Sequence, residues 1–365
     1  MKRYRILLIF WLLFLIGVWL FGAGNVGIYL TAATLICLSL EAFAAFRAYS
    51  GVSVGLSAQS TAAKNSDIHL KVTARNESRF TAAKVKVSLK CRNLLTGESE
   101  TKTAWLSVGG RSQAEVIVTV GSARCGKFTA TATEIAVIDA FGIFCMKKQT
   151  AETTSVLILP NIRPIKLSVG QHMAQDPDSA EYSMLSSGND PGETFALREY
   201  RSGDRIRDIH WKLSEKTDSL TVREYGLPIN NTVLILLDNI ALNGFRSAEK
   251  RENIGETAVS VSAALCETNF PHDIGWFDTE REAVSLMHIA GEDELNAALP
   301  LLLSAQTKTD SRSVLERFCE QCDFSSFSHI IVVTDGGLEE QSIGDTAVSF
   351  IEAVSENGED AYVEV

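Results

Sequence analysis

The chain has 365 residues, a net charge of -11 at pH 7 and an apolar fraction of 45%. This length allows two globular domains plus a membrane element. The acidic balance argues against a nucleic-acid partner and against a polybasic lipid-binding body, because both need a basic surface.

The first predicted element is an uncharged apolar run from Ile6 to Leu40. A single helix of this length would extend about 50 Å, well beyond a hydrocarbon core of about 30 Å. We therefore predict a two-helix transmembrane hairpin over residues 1–47. Its spans are Ile6–Phe21 and Val26–Phe46, and the glycine-rich residues 22–25 form the turn.

Basic residues flank the predicted hairpin, with Lys2, Arg3 and Arg5 before it and Arg47 after it. The positive-inside rule then places the N-terminus and the body in the cytoplasm, at the cell membrane. A cleaved signal peptide followed by a stop-transfer second span is the alternative. It also leaves the body after Arg47 on the cytoplasmic side.

Residues 51–160 have the pattern of an antiparallel β-sandwich. Short runs rich in β-branched residues occur at Ile68–Val72, Val85–Leu89 and Val116–Val120, and turn residues separate them. Such spacing predicts a small all-β domain with an immunoglobulin-like layout.

Residues 161–231 are predicted to form a linker followed by a charged segment. The polar stretch from Lys166 to Gly192 indicates a long loop. Between Gly192 and Gly226, basic and acidic residues are balanced around aromatic side chains. This balance favours an internal ion-pair lattice, which could be a docking surface or a structural clasp between the flanking domains.

Residues 232–365 alternate between strand and helix patterns, which predicts an α/β (Rossmann-like) domain. Strands are predicted at Val233–Asp238, Ile274–Phe277, Ala283–Ile289, His329–Thr334 and Ala361–Val363. Helices are predicted around Ile254–Leu265 and at Asp293–Ser304, Arg312–Cys319 and Thr346–Glu356. Ligands of such sheets bind at the carboxyl ends of the strands, so Asp238 and Asp335 mark the candidate site.

The charged segment resembles the signature of the bacterial family called domain of unknown function fifty-eight (DUF58). The resemblance lies in Phe195, Leu197, Arg198, Tyr200, Gly203, Asp204, His210, Trp211, Lys212, Arg223 and Glu224. It implies paired N-terminal spans, a β domain and a von Willebrand factor type A-like domain. It also implies an AAA+ ATPase of the MoxR type and a transglutaminase-like membrane protein as partners.

In type A domains an Asp-x-Ser-x-Ser motif after the first strand holds magnesium through a carboxylate and two hydroxyls. Here Asp238 is followed by Asn239, Ile240, Ala241 and Leu242, so both serines are missing. Asp335 stands where the fold's second acid would be. We expect a degenerate metal site without a cofactor, in which the acids cap nearby helix N-termini.

Two further motifs carry weak catalytic signals. Cys319 and Cys322 form a lone Cys-x-x-Cys at the end of a predicted helix, where packing thiols are expected. His210 has no recognisable nucleophile beside it, so we interpret it as a hydrogen-bonded structural histidine. No phosphate-binding loop is present, so ATP hydrolysis would have to come from a partner.

These observations lead to three hypotheses. The first is a non-enzymatic, membrane-anchored adaptor or scaffold that presents its type A-like domain to the ATPase in membrane or envelope assembly. The second is a metal-assisted hydrolase that uses Asp238, Asp335 and His210. The third is a purely structural membrane scaffold that associates with itself.

Overall fold

The computed structural model divides the chain into two compact units, Met1–Pro160 and Asn161–Val365. It describes residues 2–20, 24–168, 182–188, 190–199, 209–217, 220–228, 233–242, 244–322, 324, 327–336, 341–343, 346–353 and 362–364.

The first unit begins with two apolar helices, α1 (Lys2–Leu20) and α2 (Gly24–Gly51). The indole Nε1 of Trp11 donates a hydrogen bond to Thr34 Oγ1 at 3.2 Å, so the helices lie against each other. Within the described residues, α2 is the one helix long and apolar enough to cross a membrane. The apolar part of α1, Ile6–Leu20, is shorter than the about 20 residues that a span requires. Membrane anchoring is thus supported for α2, whereas the second span and the orientation stay predictions.

Nine strands follow the helices and build two sheets around one core. One sheet is antiparallel in the order β1-β3-β6, and the other has the order β2-β9-β7-β4-β5, with β8 paired to β7. Both sheets contribute side chains to the same buried apolar cluster. The strands are β1 (Val52–Ser57), β2 (Thr61–Ala62), β3 (Asp67–Asn76), β4 (Ala82–Asn93), β5 (Ser99–Val108), β6 (Ser112–Gly121), β7 (Gly126–Ile138), β8 (Cys145–Gln149) and β9 (Thr153–Ile158).

The last turn of α2 is part of this β core. Ala48 is buried in the apolar cluster, and Tyr49 Oη donates to the carbonyl of Lys147 at 3.1 Å. The ammonium of Lys148 donates to the carbonyl of Tyr49, one of the groups that a helix C-terminus leaves open, and to the carbonyl of Val52 at the start of β1. The apolar helix and the β body are therefore joined without a hinge of unpacked residues.

The second unit is built on a six-stranded mixed sheet in the order β17-β16-β14-β19-β21-β20. The four central strands are parallel, and β17 and β20 are antiparallel to their neighbours. The sheet strands are β14 (Val233–Leu237), β16 (His272–Asp278), β17 (Ala283–Ile289), β19 (His329–Thr334), β20 (Gln341–Ile343) and β21 (Thr346–Glu352). β14 and β19 are buried along their whole length, as central parallel strands should be.

Smaller elements complete this unit. The helices are α3 (Trp211–Thr217), α4 (Ala248–Glu267), α5 (Glu292–Leu302) and α6 (Val314–Gln321). The remaining strands are β10 (Lys166–Ser168), β11 (Tyr182–Gly188), β12 (Asp190–Glu199), β13 (Thr221–Pro228), β15 (Ile240–Ala241), β18 (Lys308–Thr309) and β22 (Tyr362–Glu364). Helix α4 packs on the sheet through the predicted apolar positions from Ile254 to Leu265, but it also buries Glu256 and Ser260.

Three predictions about this unit are wrong. The stretch from Lys166 to Gly192 is not one long loop, because it contains β10, β11 and the start of β12. Thr346–Glu356 was predicted as a helix, but Thr346–Glu352 is strand β21, whose parallel pairing with β19 overrides the local pattern. The predicted strand Ala361–Val363 does not close the main sheet, since β22 pairs with β10.

Candidate functional site

The two candidate acids lie at the same edge of the six-stranded sheet. β14 and β19 are parallel neighbours with Leu237 opposite Val333, so both strands end together. Asp238 follows β14 directly, and Asp335 follows β19. The chain order of the strands reverses between β14 and β19, and such a reversal opens a crevice at the carboxyl ends. The predicted placement of the two acids at one crevice is therefore correct.

A buried arginine bridges the two carboxylates. Arg246 Nη2 lies 2.9 Å from Asp238 Oδ2 and 2.7 Å from Asp335 Oδ1. Its Nη1 also donates to the Asp238 carbonyl. Lys250 Nζ lies 3.1 Å from Asp335 Oδ2, and the hydroxyl of Thr334 donates to Asp238 Oδ2 at 2.9 Å. The side chain of Arg246 is only 7% exposed, so this is an internal ion-pair network.

The start of α4 explains why two cations need two acids here. Ser247 is the N-cap of α4 and accepts a hydrogen bond from the Lys250 backbone N–H. Arg246 precedes this cap and Lys250 lies in the first turn, where the helix dipole disfavours positive charge. The carboxylates of Asp238 and Asp335 offset both effects. We expected the two acids to cap helix N-termini, but the N-cap of α4 is Ser247.

The charge network also changes the pKa of Asp335. Burial alone would raise this pKa, but the neighbouring Arg246 and Lys250 outweigh burial and hold it below its ordinary value. The carboxyl group of Asp335 therefore stays ionised at neutral pH. A carboxylate held in this state is a poor general acid.

The two positions that would supply hydroxyl ligands, Ile240 and Leu242, carry aliphatic side chains. Asn239 Nδ2 donates to the carbonyls of Phe277 at 2.7 Å and Gln306 at 3.1 Å, which ties β14 to its neighbours. Ile240 and Ala241 form the buried strand β15. With the Arg246 guanidinium between the carboxylates, the residues present do not fit a magnesium ion, which requires several oxygen ligands in octahedral geometry.

The crevice beside this network is largely apolar and has a volume of about 490 Å³. Leu315, Val332 and Phe350 contribute to its lining, together with the acids. Phe245 and Leu242 also line the crevice, and the side chain of Phe245 is 87% exposed. The guanidinium of Arg251 lies 5.0 Å from the Phe245 ring centre.

The predicted signature residues fall on a different part of the second unit. Phe195, Leu197 and Arg198 lie on β12, which pairs with Arg223 and Glu224 on β13. Trp211 and Lys212 begin α3 with exposed side chains. Tyr200, Gly203 and Asp204 lie outside the described residues. The docking-surface and clasp interpretations of this segment both stay predictions.

His210 forms the contacts of a helix cap. Its Nδ1 accepts a hydrogen bond from the backbone N–H of Leu213 at 3.2 Å, and its backbone N–H donates to Thr221 O at 2.8 Å. The hydroxyl of Ser214 donates to the His210 carbonyl. An accepting Nδ1 cannot carry a proton, so the ring is held in one tautomer at the start of α3. These contacts favour the structural interpretation of His210.

A buried serine and histidine pair was not anticipated from the sequence. His272 Nε2 lies 2.6 Å from Ser262 Oγ, and Nδ1 lies 3.0 Å from the Phe270 carbonyl. A carbonyl only accepts, so Nδ1 donates and Nε2 accepts from Ser262. Both residues are fully buried, and the third partner is a carbonyl instead of a carboxylate. The pair therefore stabilises the packing of α4 on β16 and is closed to a substrate.

Burial lowers the pKa of His272 below its ordinary value. The unfolded chain then binds a proton more readily than the folded chain, so stability is lost as pH falls below about 6.5. We expect urea unfolding of the full-length protein to show a lower free energy of unfolding at pH 5 than at pH 7.5. His272→Gln should flatten this dependence. An unchanged pH dependence in that variant would assign the effect to other groups.

The Cys-x-x-Cys thiols pack near the core. Cys319 and Cys322 are half-buried, are not in a disulfide and contact the apolar cluster around α6. Burial raises the pKa of both thiols. A raised pKa lowers the thiolate fraction and therefore the reactivity, which agrees with the predicted packing role.

Sequence reasoning missed Arg246 and Lys250, the residues that define the chemistry of the crevice. A signal was available, because a basic residue directly before a helix N-cap is electrostatically unfavourable without acids nearby. The two acids ending β14 and β19 supply that compensation.

The fold and site define a protein with an apolar anchor helix, a β-sheet unit and an α/β unit whose strand-end crevice is bridged by an internal arginine. Residues 196–311 match the family model described as protein of unknown function DUF58. These residues therefore match the DUF58 family, as the signature predicted. No curated protein matches the chain.

Several solved structures are similar to part of the chain. The CARDB domain of the PF1109 protein from Pyrococcus furiosus is 12% identical with a TM-score of 0.22, over 30% of this chain and 87% of that domain. A beta-glucosidase from Listeria innocua is 10% identical with a TM-score of 0.21, over 29% of this chain and 16% of the enzyme. Likenesses at these scores support no conclusion about this chain.

Proposed function

We propose that the chain is a non-enzymatic, membrane-anchored adaptor that presents its α/β unit to a cytosolic AAA+ ATPase of the MoxR type. The observation that carries the proposal is the Arg246 bridge, which fills the strand-end position where sheets of this kind bind ligands. Because the Arg246 guanidinium neutralises the two carboxylates there, the crevice is suited to docking a partner protein instead of catalysing a reaction.

The strand order supports the type A-like part of the proposal. Taken in chain order, the first four strands of the six-stranded sheet are arranged 3-2-1-4, with the third antiparallel. This is the order of doubly wound sheets, to which type A-like domains are related. We likewise propose the immunoglobulin-like layout for the β unit, cytoplasmic placement of both units and a transglutaminase-like membrane protein as a further partner.

Phe245 is the proposed centre of the docking surface. Its side chain is 87% exposed beside an apolar crevice, so a partner that covers the crevice would bury it. Aromatic residues of this kind, next to apolar pockets, supply a large share of the binding free energy at protein interfaces. The Arg251 guanidinium on its ring fixes the orientation of Phe245 before binding.

Phe245→Ser should weaken ATPase binding by at least about 2 kcal/mol, or roughly thirtyfold in affinity. The measurement is co-purification from a detergent extract with mass spectrometry, comparing wild type, Phe245→Ser and Leu301→Ser. Leu301 is a matched control because it is also an exposed apolar residue of the second unit, on α5.

We expect wild type and Leu301→Ser to recover the ATPase and Phe245→Ser to lose it. Failure of the wild type to recover any AAA+ ATPase, while membrane neighbours are recovered, would contradict the adaptor proposal. Equal recovery of the ATPase by all three proteins would show that Phe245 is not part of the docking surface.

A further inference from the structure

We propose that one end of the β-sheet unit is a lipid-docking surface that rests on the anionic headgroups of the membrane entered by α2. The surface, which we call the rim, consists of Arg79, Phe80, Arg111 and Phe141. This inference rests on membrane anchoring by α2, which belongs to the proposed function.

The depth of the rim follows from α2. The candidate span runs from Asn25 to Gly51 with its two charged residues, Glu41 and Arg47, in the second half, and a hydrocarbon core takes about 20 residues of helix. A span that starts at Asn25 therefore ends near Ala44, which places Phe43 at the boundary with the headgroups. The Phe80 ring meets the Phe43 ring edge-on, with centroids 5.8 Å apart. Phe80 thus lies at the level of the headgroups.

Three loops lie at this end of the β unit. The backbone N–H of Arg111 donates to the Ser78 carbonyl at 2.7 Å, so the turn between β5 and β6 lies against the loop that carries Phe80. Lys84 is opposite Ile138 in the antiparallel pairing of β4 and β7. The turn after β7 therefore lies at the same end of the sheet as the start of β4.

That turn presents Phe141. Asp139 closes it by accepting the backbone N–H of Phe144 on its carboxylate at 2.9 Å and that of Gly142 on its carbonyl at 3.1 Å. Gly142 has a φ of 70°, which a residue with a side chain adopts only with strain. Phe141 is left 58% exposed at the tip. A bilayer interface favours aromatic rings at such a position, whereas water does not.

The rim is basic although the whole chain is acidic. Arg79 and Arg111 are exposed, and Arg111 has a φ of 54°, where glycine or asparagine would be less strained. The exposed acid nearby, Glu77, lies 3.7 Å from Arg75, and Asp139 is buried in its turn. Arginines that flank interfacial aromatics reach the phosphates of anionic lipids.

Photo-crosslinking of the full-length protein in nanodiscs tests this proposal. The nanodiscs contain phosphatidylcholine and phosphatidylglycerol at 3:1, and p-benzoylphenylalanine replaces one residue at a time. The tested positions are Phe80 and Phe141, the control on the β unit is Ile117, and the control in the anchor is Leu35. Ile117 is 64% exposed on β6, opposite Lys71 and well away from the rim.

We expect lipid adducts at positions 80, 141 and 35 and none at 117. Phosphatidylglycerol should be enriched at least about twofold over its mole fraction in the adducts at 141, and this enrichment should be lost in Arg79→Gln/Arg111→Gln. Adducts at 35 without adducts at 80 and 141 would overturn the rim and leave the anchor intact. The absence of an adduct at 35 would show that α2 does not enter the membrane, which would contradict both the rim and the proposed function. Enrichment that persists in the arginine variant would overturn the role of the arginines.

Discussion

Arg246→Met is expected to lower the free energy of unfolding of the Asn161–Val365 unit by about 3 kcal/mol or more. The substitution removes the cation between Asp238 and Asp335 and leaves two like charges facing each other in a partly buried crevice, where Lys250 contacts Asp335 alone. Like charges in such a place are destabilising because water cannot solvate them fully. The measurement is urea unfolding of the full-length protein, monitored by hydrogen exchange. Peptides from β14 and β19 report on the unfolding of this unit alone.

Two variants control for this prediction. Arg312→Met removes an arginine whose ion pair with Glu320 is mostly exposed, so it should cost less than about 1 kcal/mol. The triple variant Arg246→Met/Asp238→Asn/Asp335→Asn should regain much of the lost stability, because the one charge it leaves without a partner, on Lys250, is mostly exposed to water. A loss below 1 kcal/mol for Arg246→Met itself would show that the bridge does not hold the crevice together.

Ala48→Asp is expected to unfold the β core next to α2. Ala48 is 1% exposed within the apolar cluster of the first unit, and a buried carboxylate without a partner costs several kcal/mol. The backbone amides of β3 and β4 should therefore lose most of their protection from hydrogen exchange in the full-length Ala48→Asp variant.

Ser50→Asp is the matched control, because Ser50 is exposed on the same last turn of α2. It should leave the exchange of β3 and β4 unchanged. Equal protection in wild type and Ala48→Asp would mean that α2 is not embedded in the β core, which would also remove the geometric basis of the rim.

The central strands of the α/β unit could be predicted because burial on both faces imposes a continuous apolar run. Val233–Asp238 and His329–Thr334 show such runs and lie at β14 and β19. The peripheral strands gave no such signal. β10 was not predicted, and β22 overlaps the predicted strand Ala361–Val363. The two pair over a long sequence separation, so local pattern cannot reveal their pairing.

The acids of the crevice were predictable, but its chemistry was not. The carboxyl ends of neighbouring parallel strands lie at one edge of the sheet. This rule predicts that Asp238 and Asp335 lie at the same crevice. The role of Arg246 depends on the path of the chain between β15 and α4, which no periodic pattern encodes. His210 was correctly expected to make structural hydrogen bonds, although the helix cap it forms depends on the position of α3.

Titration calorimetry of the full-length protein with magnesium and manganese tests whether an internal arginine takes the place of a ligand at the strand ends. We expect no stoichiometric binding of either ion to the wild type. Stoichiometric binding that Asp238→Ala abolishes would contradict this expectation and favour a metal-assisted hydrolase.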